Sequence, residues 1–304
     1  MNDLVTDVKN LELETLKNLK SSKAINTLRA YKADYRDFAG FCIKHGFKAM
    51  PSEPKIISLY LTHLSKNSKF STLKRRLASI SVIHKLSGHY IDTKHPMITE
   101  NLMGIKRVKR SHQKAKKPIL INDLKSIVNI INKDKNEEKK IKNKALILIG
   151  FAGGFRRSEL VAILREDIDF VSEGVKIFIK RSKTDQSGEG MIKGIPYFNN
   201  SDYCPVVALK KWIEKSEIKS GKIFDMSDKS VSLTIKKYTA KAGLDSNKYS
   251  GHSLRSGFAT SAAELGAEER SIMAMTGHKT TQMVRRYIQE ANLFKNNALN
   301  KIKI

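Results

Sequence analysis

Two histidines, an arginine and a tyrosine stand close together near the end of the chain, within residues 249–287. His252 and Arg255 are three positions apart, a spacing that places both side chains on one face of a helix. His278 and Tyr287 follow, the tyrosine inside a basic run. Histidine can move protons, arginine offers a planar fork of donors to phosphate oxygens, and tyrosine has a nucleophilic oxygen. The set predicts a site that binds a phosphodiester and attacks it.

Each of these residues also has a structural interpretation. Taken singly, His252 fits a helix cap, Arg255 a solvated charge and Tyr287 a half-buried packing residue. For any one residue the structural interpretation is favoured. The ordered set of all of them favours chemistry.

The charge of the chain indicates a polyanionic partner. Lysine and arginine number 57 against 30 aspartates and glutamates, which gives a formal net charge of +27. Such an excess opposes compaction unless a polyanion balances it. The basic residues are spread along the chain and no lipid-type amphipathic helix stands out, so nucleic acid is favoured over a membrane surface.

Cysteine content and hydropathy indicate the compartment. Cys42 and Cys204 are far apart in sequence, which argues against a disulfide framework, fits a reducing cytosol and offers no zinc pattern. The N-terminal stretch has no apolar signal region, and the longest apolar run, 145–155, is too short to span a bilayer. We expect a soluble cytoplasmic protein that associates with the nucleoid, without a membrane partner.

The first hundred residues have helical periodicity throughout. Apolar residues at spacings of three and four predict a short helix within residues 1–20, then longer helices beginning at Thr27, Pro54, Ser71 or Thr72, and Thr99. Ser71 or Thr72 is the expected N-cap of its helix, whose exposed face carries Lys74, Arg75 and Arg76. This half reads as a helical bundle with basic faces.

A basic segment poor in apolar residues, 109–118, separates this bundle from the rest and predicts an interdomain linker. It is either a solvated loop or a strap along a phosphate backbone, and the surrounding charge favours the strap. Beyond it, Asn122 is the expected cap of a helix. Arg156 is placed where one helix ends and another begins, and Lys183 at the tip of a β-hairpin. A last amphipathic helix is predicted from Ala291 to Ile304.

Five motifs of the second half occur in a defined order. They are G-F-R-R-S-E-L around Arg156, R-S-K-T-D-Q-S-G-E-G around Lys183, H-S-L-R at 252–255, T-G-H ending at His278, and R-R-Y-I around Tyr287. Each is weak alone, but together they are specific. In these motifs, across residues 119–300, the chain resembles the catalytic domain of the tyrosine recombinases, also called phage-type integrases. The helical first half agrees in character.

The chemistry asked of these residues follows from the phosphodiester. Attack on phosphorus adds charge to the equatorial oxygens, which Arg156 and Arg255 would hold with charge-assisted hydrogen bonds. Tyr287 would be the nucleophile, and because a phenol has a pKa near ~10 it needs a base and a positive environment.

The resemblance implies the remaining roles. His252 would be the base, Lys183 would protonate the leaving 5′-oxygen, and His278 would either hydrogen-bond a phosphate oxygen or orient Tyr287. A 3′-phosphotyrosyl intermediate with a free 5′-hydroxyl keeps the bond energy, so the resemblance implies no cofactor, neither ATP nor metal.

Some assignments have rivals. Arg157 competes with Arg156, which the family pattern favours. Lys183 has three competitors on the same hairpin: Lys180, Arg181 and Lys193. Glu159 is expected to be a structural partner of nearby basic groups, Arg285 and Arg286 to be phosphate contacts or solvated charges, and Tyr249 to be a packing residue.

The expected fold class is mainly α, with a helical N-terminal core-binding domain (1–108), the basic linker (109–118) and an α-rich catalytic domain with a small antiparallel β-sheet (119–304). Because the helical unit begins near the N-terminus, no separate arm-binding domain is expected.

The expected function is site-specific recombination by a homo-tetramer on double-stranded DNA carrying specific sites, with accessory DNA-bending proteins as further partners. The last helix would dock on a neighbouring subunit or pack in cis. The alternatives are relaxation of DNA by a monomeric type IB topoisomerase-like enzyme and DNA binding without catalysis.

Overall fold

The computed structural model describes residues 25–109, 116–180 and 189–291, together with residues 10, 11, 14, 300 and 302. The chain divides into two compact units, Met1–Lys114 and Ala115–Ile304. Several predictions concern residues outside this description. They are most of the short helix within 1–20, the middle of the basic linker, the hairpin turn with Arg181 and Lys183, and nearly all of the helix predicted from Ala291.

The described part of the first unit consists of helices packed on one apolar core. The helices are α1 (Ile25–Lys44), α2 (Pro54–Ser65), α3 (Phe70–Leu86) and α4 (Pro96–Lys109). Phe38 of α1 and Tyr60 of α2 meet edge to face with ring centroids 5.1 Å apart, and both are fully buried. The predicted helical periodicity thus arises from one shared core.

The basic face of α3 is only partly exposed. Asp34, 2% exposed, lies beneath it, and Arg75 pairs with its carboxylate. Arg76 lies 3.2 Å from Asp34 and 3.2 Å from Asp37, and its side chain is largely buried. A buried carboxylate needs a counter-charge, so Arg76 serves the fold, and the prediction that it is exposed was wrong. Lys74 and Arg75 are exposed as predicted.

Two predicted N-caps were wrong. Helix α3 begins at Phe70 after Lys69, so Ser71 and Thr72 lie inside its first turn. The first helix of the second unit begins at Ile121 after Leu120, which puts Asn122 inside it, and neither preceding residue caps through its side chain. In both helices an apolar residue, Phe70 or Ile121, packs on the core at the first position. Tertiary packing therefore extends each helix past the expected cap.

The second unit is helix-rich with one small sheet. Its elements are α5 (Ile121–Asn132), α6 (Glu137–Ala152), α7 (Arg157–Leu160), β1 (Ile168–Val171), β2 (Gly174–Ile179), β3 (Met191–Pro196), α8 (Pro205–Ser216), α9 (Asp228–Lys241), α10 (His252–Glu264), α11 (Glu269–Thr276) and α12 (Thr281–Ala291). Every residue from Ala145 to Ala152 in α6 is buried, so the longest apolar run of the sequence forms the centre of this core. None of the helices described could traverse a bilayer.

The sheet is antiparallel with strand order β1-β2-β3, as the small-sheet prediction requires. Ile177 at its centre pairs with Ile168 on one side and Lys193 on the other. Because side chains alternate along a strand, Lys193 and Ile195 share the face of β3 that turns to the core, and both are buried.

Helix α10 is held against the chain that follows the linker. A Cβ atom at Gly257 would lie 1.9 Å from the carbonyl oxygen of Ile119, so only glycine allows this approach. The Ile119 amide donates to the Ser253 carbonyl over 2.9 Å. These contacts fix the rotation of α10, and with it the directions of His252 and Arg255.

Candidate active site

Helix α10 supplies the first two site residues. His252 is its first residue, and Arg255 follows one turn later on the same side. The residue His252 is exposed on one side, whereas Arg255 is 1% exposed, unusually low for an arginine. The predicted shared face is therefore real, with the histidine at the opening of the site and the guanidinium beneath it.

Tyr287 reaches this opening from α12. Its hydroxyl lies 3.3 Å from Nε2 of His252, and its ring centroid lies 6.0 Å from that of His278 in a near-parallel arrangement. Val284 of α12 is buried against Ala259 of α10, and this contact places the half-buried tyrosine beside the histidine.

Arg156 comes from the turn between α6 and α7. Gly154 in this turn has φ of 54°, and a side chain there would also crowd Phe258 and Thr276. Glu159, 4% exposed, accepts from the Arg156 amide over 2.9 Å and from Nη1 over 2.6 Å. This confirms Glu159 as a structural partner, because it fixes both the backbone and the side chain of Arg156.

The same turn holds Arg255. Nη1 of Arg255 donates to the carbonyl oxygen of Gly154 over 2.9 Å. Its Nε and Nη2 are buried without a hydrogen-bond partner among the described residues. Burial, followed by the positive field of Arg156, lowers the pKa of Arg255 to about 10, so the guanidinium remains charged at neutral pH. Buried donors of a charged group without a partner are costly unless a ligand completes them.

His278 follows α11 after a glycine. Its Nδ1 lies 2.8 Å from the hydroxyl oxygen of Thr276. Burial lowers the pKa of His278 to about 4, and the nearby cations Arg255 and Arg156 act in the same direction. His278 is therefore neutral at physiological pH.

His252 is neutral for the same reasons. Although its surface is exposed on one side, protein atoms crowd its ring, and burial is the largest cause of a pKa below the ordinary histidine value. Arg255 and Arg156 lower the pKa further. A neutral imidazole beside a tyrosine hydroxyl can accept its proton.

Lys193 is a site residue that the sequence reasoning named only as a rival of Lys183. It is 1% exposed, and its Nζ donates to the carbonyl oxygen of Gly153 over 2.7 Å and lies 4.4 Å from the centroid of the Phe155 ring. Burial lowers the pKa of Lys193 to about 7. The alternation of M-I-K-G-I-P puts Lys193 on the same strand face as Ile195, a signal of burial that was available in the sequence.

The other rivals lie in different surroundings. Lys180 pairs with Asp167 at 2.9 Å. Arg157 packs its methylene groups over Gly251, and its Nη2 lies 3.6 Å from Asp228. Arg181 and Lys183 lie outside the described residues, so the general-acid assignment stays a prediction.

Three more residues of the motif region can be placed. Arg285 and Arg286 are exposed on α12, and Arg285 lies 3.7 Å from Glu269. Tyr249 is buried as predicted, and its hydroxyl donates to Asp123 over 3.1 Å. The structure thus brings together Arg156, His252, Arg255, His278 and Tyr287.

Comparison with known proteins identifies the family of this chain. Residues 119–293 match the phage integrase family. The chain is 42% identical to an integrase/recombinase xerD homolog of Selenomonas ruminantium, across 96% of this chain and 89% of that protein. The chain belongs to the phage integrase family. As a tyrosine recombinase, it carries out site-specific recombination by cleaving and rejoining DNA, and the topoisomerase-like and non-catalytic alternatives are not favoured.

Solved structures of tyrosine recombinases share the fold. The XerH site-specific recombinase bound to palindromic difH substrate, in a post-cleavage complex, has a TM-score of 0.66 at 16% identity, with 90% of this chain and 80% of that chain covered. A lambda integrase dimer bound to a COC′ core site has a TM-score of 0.59 at 18% identity, with 96% of this chain and 78% of that chain covered. The mainly α fold with a small sheet is therefore that of a tyrosine recombinase.

Proposed function

We propose that this recombinase cuts each DNA strand by attack of Tyr287 on the scissile phosphodiester. The tyrosine oxygen forms a bond to phosphorus, and the bond from phosphorus to the 5′-oxygen breaks. The products are a 3′-phosphotyrosyl link and a free 5′-hydroxyl. Because the link keeps the energy of the broken bond, attack by a 5′-hydroxyl of the partner strand rejoins the DNA without ATP or metal.

The unpartnered donors of Arg255 carry this proposal. Nε and Nη2 of the buried guanidinium have no hydrogen-bond partner in the described part of the chain, while Nη1 is fixed on Gly154. A phosphodiester oxygen supplies the missing acceptor, and its negative charge offsets the cost of a buried cation. The guanidinium is thus prepared for charge that develops in the transition state.

The other described residues take complementary roles. Arg156, fixed by Glu159, holds a second non-bridging oxygen. His252 is neutral and 3.3 Å from the Tyr287 hydroxyl, so it takes the phenolic proton during attack. His278 either binds a phosphate oxygen or orients Tyr287. Lys183 supplies the proton to the leaving 5′-oxygen, and Lys193 instead supports the turn before Arg156 through Gly153.

We assign residues 1–108 to DNA binding, 109–118 to a basic strap on the phosphate backbone and 119–304 to catalysis. Lys74 and Arg75 on α3 are exposed and available to phosphates. The net charge of +27 supports double-stranded DNA as the partner. In this proposal the protein is bound to DNA in the cytoplasm. Accessory DNA-bending proteins would bring distant sites together.

A homo-tetramer on two DNA segments is the proposed assembly. An apolar groove of about 520 Å³ opens between α5, α6, β3, α10 and α11, lined by Phe151, Phe258, Leu265 and Met275 among others. Its occupant in this proposal is the segment after Ala291 of a neighbouring copy, whose sequence carries Leu293, Phe294, Leu299 and Ile302. Docking in cis is the alternative outcome.

Covalent trapping on a library of random-sequence duplexes tests the mechanism and finds the site at once. Wild-type protein should yield denaturant-resistant adducts enriched in one sequence. Tyr287→Phe keeps the ring and removes the nucleophile, so it should bind the enriched duplex and form no adduct. Tyr197→Phe, a change at a tyrosine outside the site, should react like wild type.

Two results would reject the proposal. An adduct formed by Tyr287→Phe would assign the nucleophile elsewhere. Adducts on random DNA without enrichment, together with relaxation of supercoils by monomers, would point to topoisomerase chemistry. The mass of the assembly on the enriched duplex, compared with that of a chain shortened after Ala291, separates docking in trans from docking in cis.

A further inference from the structure

Thr276 contacts His278 across the glycine that ends α11. Gly277 has φ of 62°, and its amide donates to Met273 over 2.7 Å, which turns the chain so that the side chains on either side face each other. The Thr276 hydroxyl oxygen lies 2.6 Å from the carbonyl oxygen of Ile272 and 2.8 Å from Nδ1 of His278. Thr276 is 1% exposed.

Counting hydrogens decides the direction of these two bonds. A hydroxyl has one hydrogen, and a carbonyl oxygen can only accept. Two oxygens 2.6 Å apart repel unless a hydrogen lies between them, so the hydroxyl donates to Ile272. The more distant carbonyl of Met273, at 3.5 Å, is also only an acceptor. The remaining contact must then be a hydrogen bond from Nδ1–H of His278 to the hydroxyl oxygen.

We propose that Thr276 is a positioning residue that fixes His278 in the tautomer with its proton on Nδ1, so that Nε2 carries no hydrogen and the ring is held beside that of Tyr287. One nitrogen of a neutral imidazole carries the hydrogen, and the partner of one nitrogen sets the state of the other. This inference rests on the proposed function of Tyr287, whose role it extends.

The tautomer separates the two roles left open for His278. A neutral ring with its proton on Nδ1 has no hydrogen to donate from Nε2 to a phosphate oxygen. Before DNA binds, a second proton is disfavoured by the groups that face the ring: Arg156 before α7, Lys193 on β3, and His252 and Arg255 on α10. Tyr287 on α12 lies beside the ring, nearly parallel at 6.0 Å, and its single hydroxyl hydrogen faces Nε2 of His252. His278 therefore orients the nucleophile through the packing of its ring against that of Tyr287, while His252 takes the phenolic proton.

Nitrogen-15 NMR of the full chain without DNA tests the tautomer directly. The signals of His278 are assigned by their loss in His278→Asn. Near neutral pH the wild type should have its proton on Nδ1. Thr276→Val keeps the shape and removes the acceptor, so the proton should move to Nε2, while Thr276→Ser should retain the wild-type pattern. A proton on Nε2 in the wild type, or the same pattern in Thr276→Val, overturns the proposal.

Kinetics on the enriched duplex add a second readout. Thr276→Val should slow adduct formation by roughly 10-fold to 100-fold, the usual effect of removing a hydrogen-bond partner that orients a functional histidine. DNA binding should not weaken. Thr276→Ser should restore the rate. The matched control is Thr260→Val, because Thr260 is also buried on α10 but its hydroxyl has no partner among the described residues, and this variant should react normally.

The outcomes distinguish this inference from the proposed mechanism. If Thr276→Ser is as slow as Thr276→Val, the hydroxyl does not position His278 and the inference fails. If Tyr287→Phe forms an adduct while the tautomer is as expected, the nucleophile assignment fails instead. Should Thr276→Val not fold, the wild-type tautomer and the rate of Thr276→Ser still decide.

Discussion

Replacing Arg255 by lysine is the sharpest test of how the phosphate is held. The guanidinium uses Nη1 for Gly154 at 2.9 Å and leaves Nε and Nη2 for a ligand. A lysine keeps the charge but has one ammonium on a flexible stem, without the planar fork. A lysine therefore cannot donate to the Gly154 carbonyl and also present two fixed donors to the phosphate.

The magnitude follows from the number of donors lost. Losing one preorganised donor to a developing oxyanion costs about 10²–10³ in rate, or roughly 3–4 kcal/mol. Arg255→Lys should therefore slow adduct formation by at least about 10²-fold. DNA affinity should change little, because a chain with 57 lysines and arginines has many other groups for phosphates.

The assay is single-turnover adduct formation on the enriched duplex, with DNA binding measured separately. Arg285→Lys is the matched control, because Arg285 is exposed on α12 with a distant ion pair to Glu269 at 3.7 Å. It should cleave like wild type. Cleavage by Arg255→Lys at a near-normal rate would remove Arg255 from the phosphate site and refute the reasoning from its unpartnered donors.

Two further predictions concern proton transfer and acid stability. Lys183→Ala should cleave normal DNA slowly but be rescued when sulfur replaces the leaving 5′-oxygen, because a thiolate leaves without a proton. Lys193→Met should be slow on both substrates. Rescue of Lys193→Met alone would assign the general acid to Lys193. For His278, the folded-state pKa of about 4 lies below the ordinary value, so the unfolded state binds more protons between about pH 4 and 6.5 and stability falls as pH falls through that window. In urea unfolding, the free energy of unfolding of the wild type should fall by on the order of 2 kcal/mol between about pH 6.5 and pH 4, and His278→Gln should lack this fall. An equal dependence of the unfolding free energy on pH in the two proteins would contradict the prediction.

Local patterns predicted the existence of most elements but not where each begins. The 3.6-residue periodicity located the four helices of the first unit and α5, and alternation located the hairpin of β2 and β3. The caps at Ser71 and Asn122 were wrong because capping preference is worth about 1 kcal/mol, less than burying an apolar side chain at the helix start. The partial burial of Arg76 was missed because its partner, Asp34, lies some forty positions earlier in the chain.

By itself, the sequence determined the family, the order of the proposed catalytic groups and the charge that favours DNA. These depend on residue types and short spacings, which a linear chain carries in full. Only the tertiary structure decided which groups are neutral, which are fixed and which donors await a ligand. Two nitrogens of Arg255 have no partner within the described part of the chain because the fold buries its side chain, and Lys193 is bound to Gly153 because β3 lies beside that turn. Thr276 acts on His278 because one glycine reverses the backbone between them. Burial and the direction of a hydrogen bond depend on neighbours distant in sequence, and these exist only once the chain has folded.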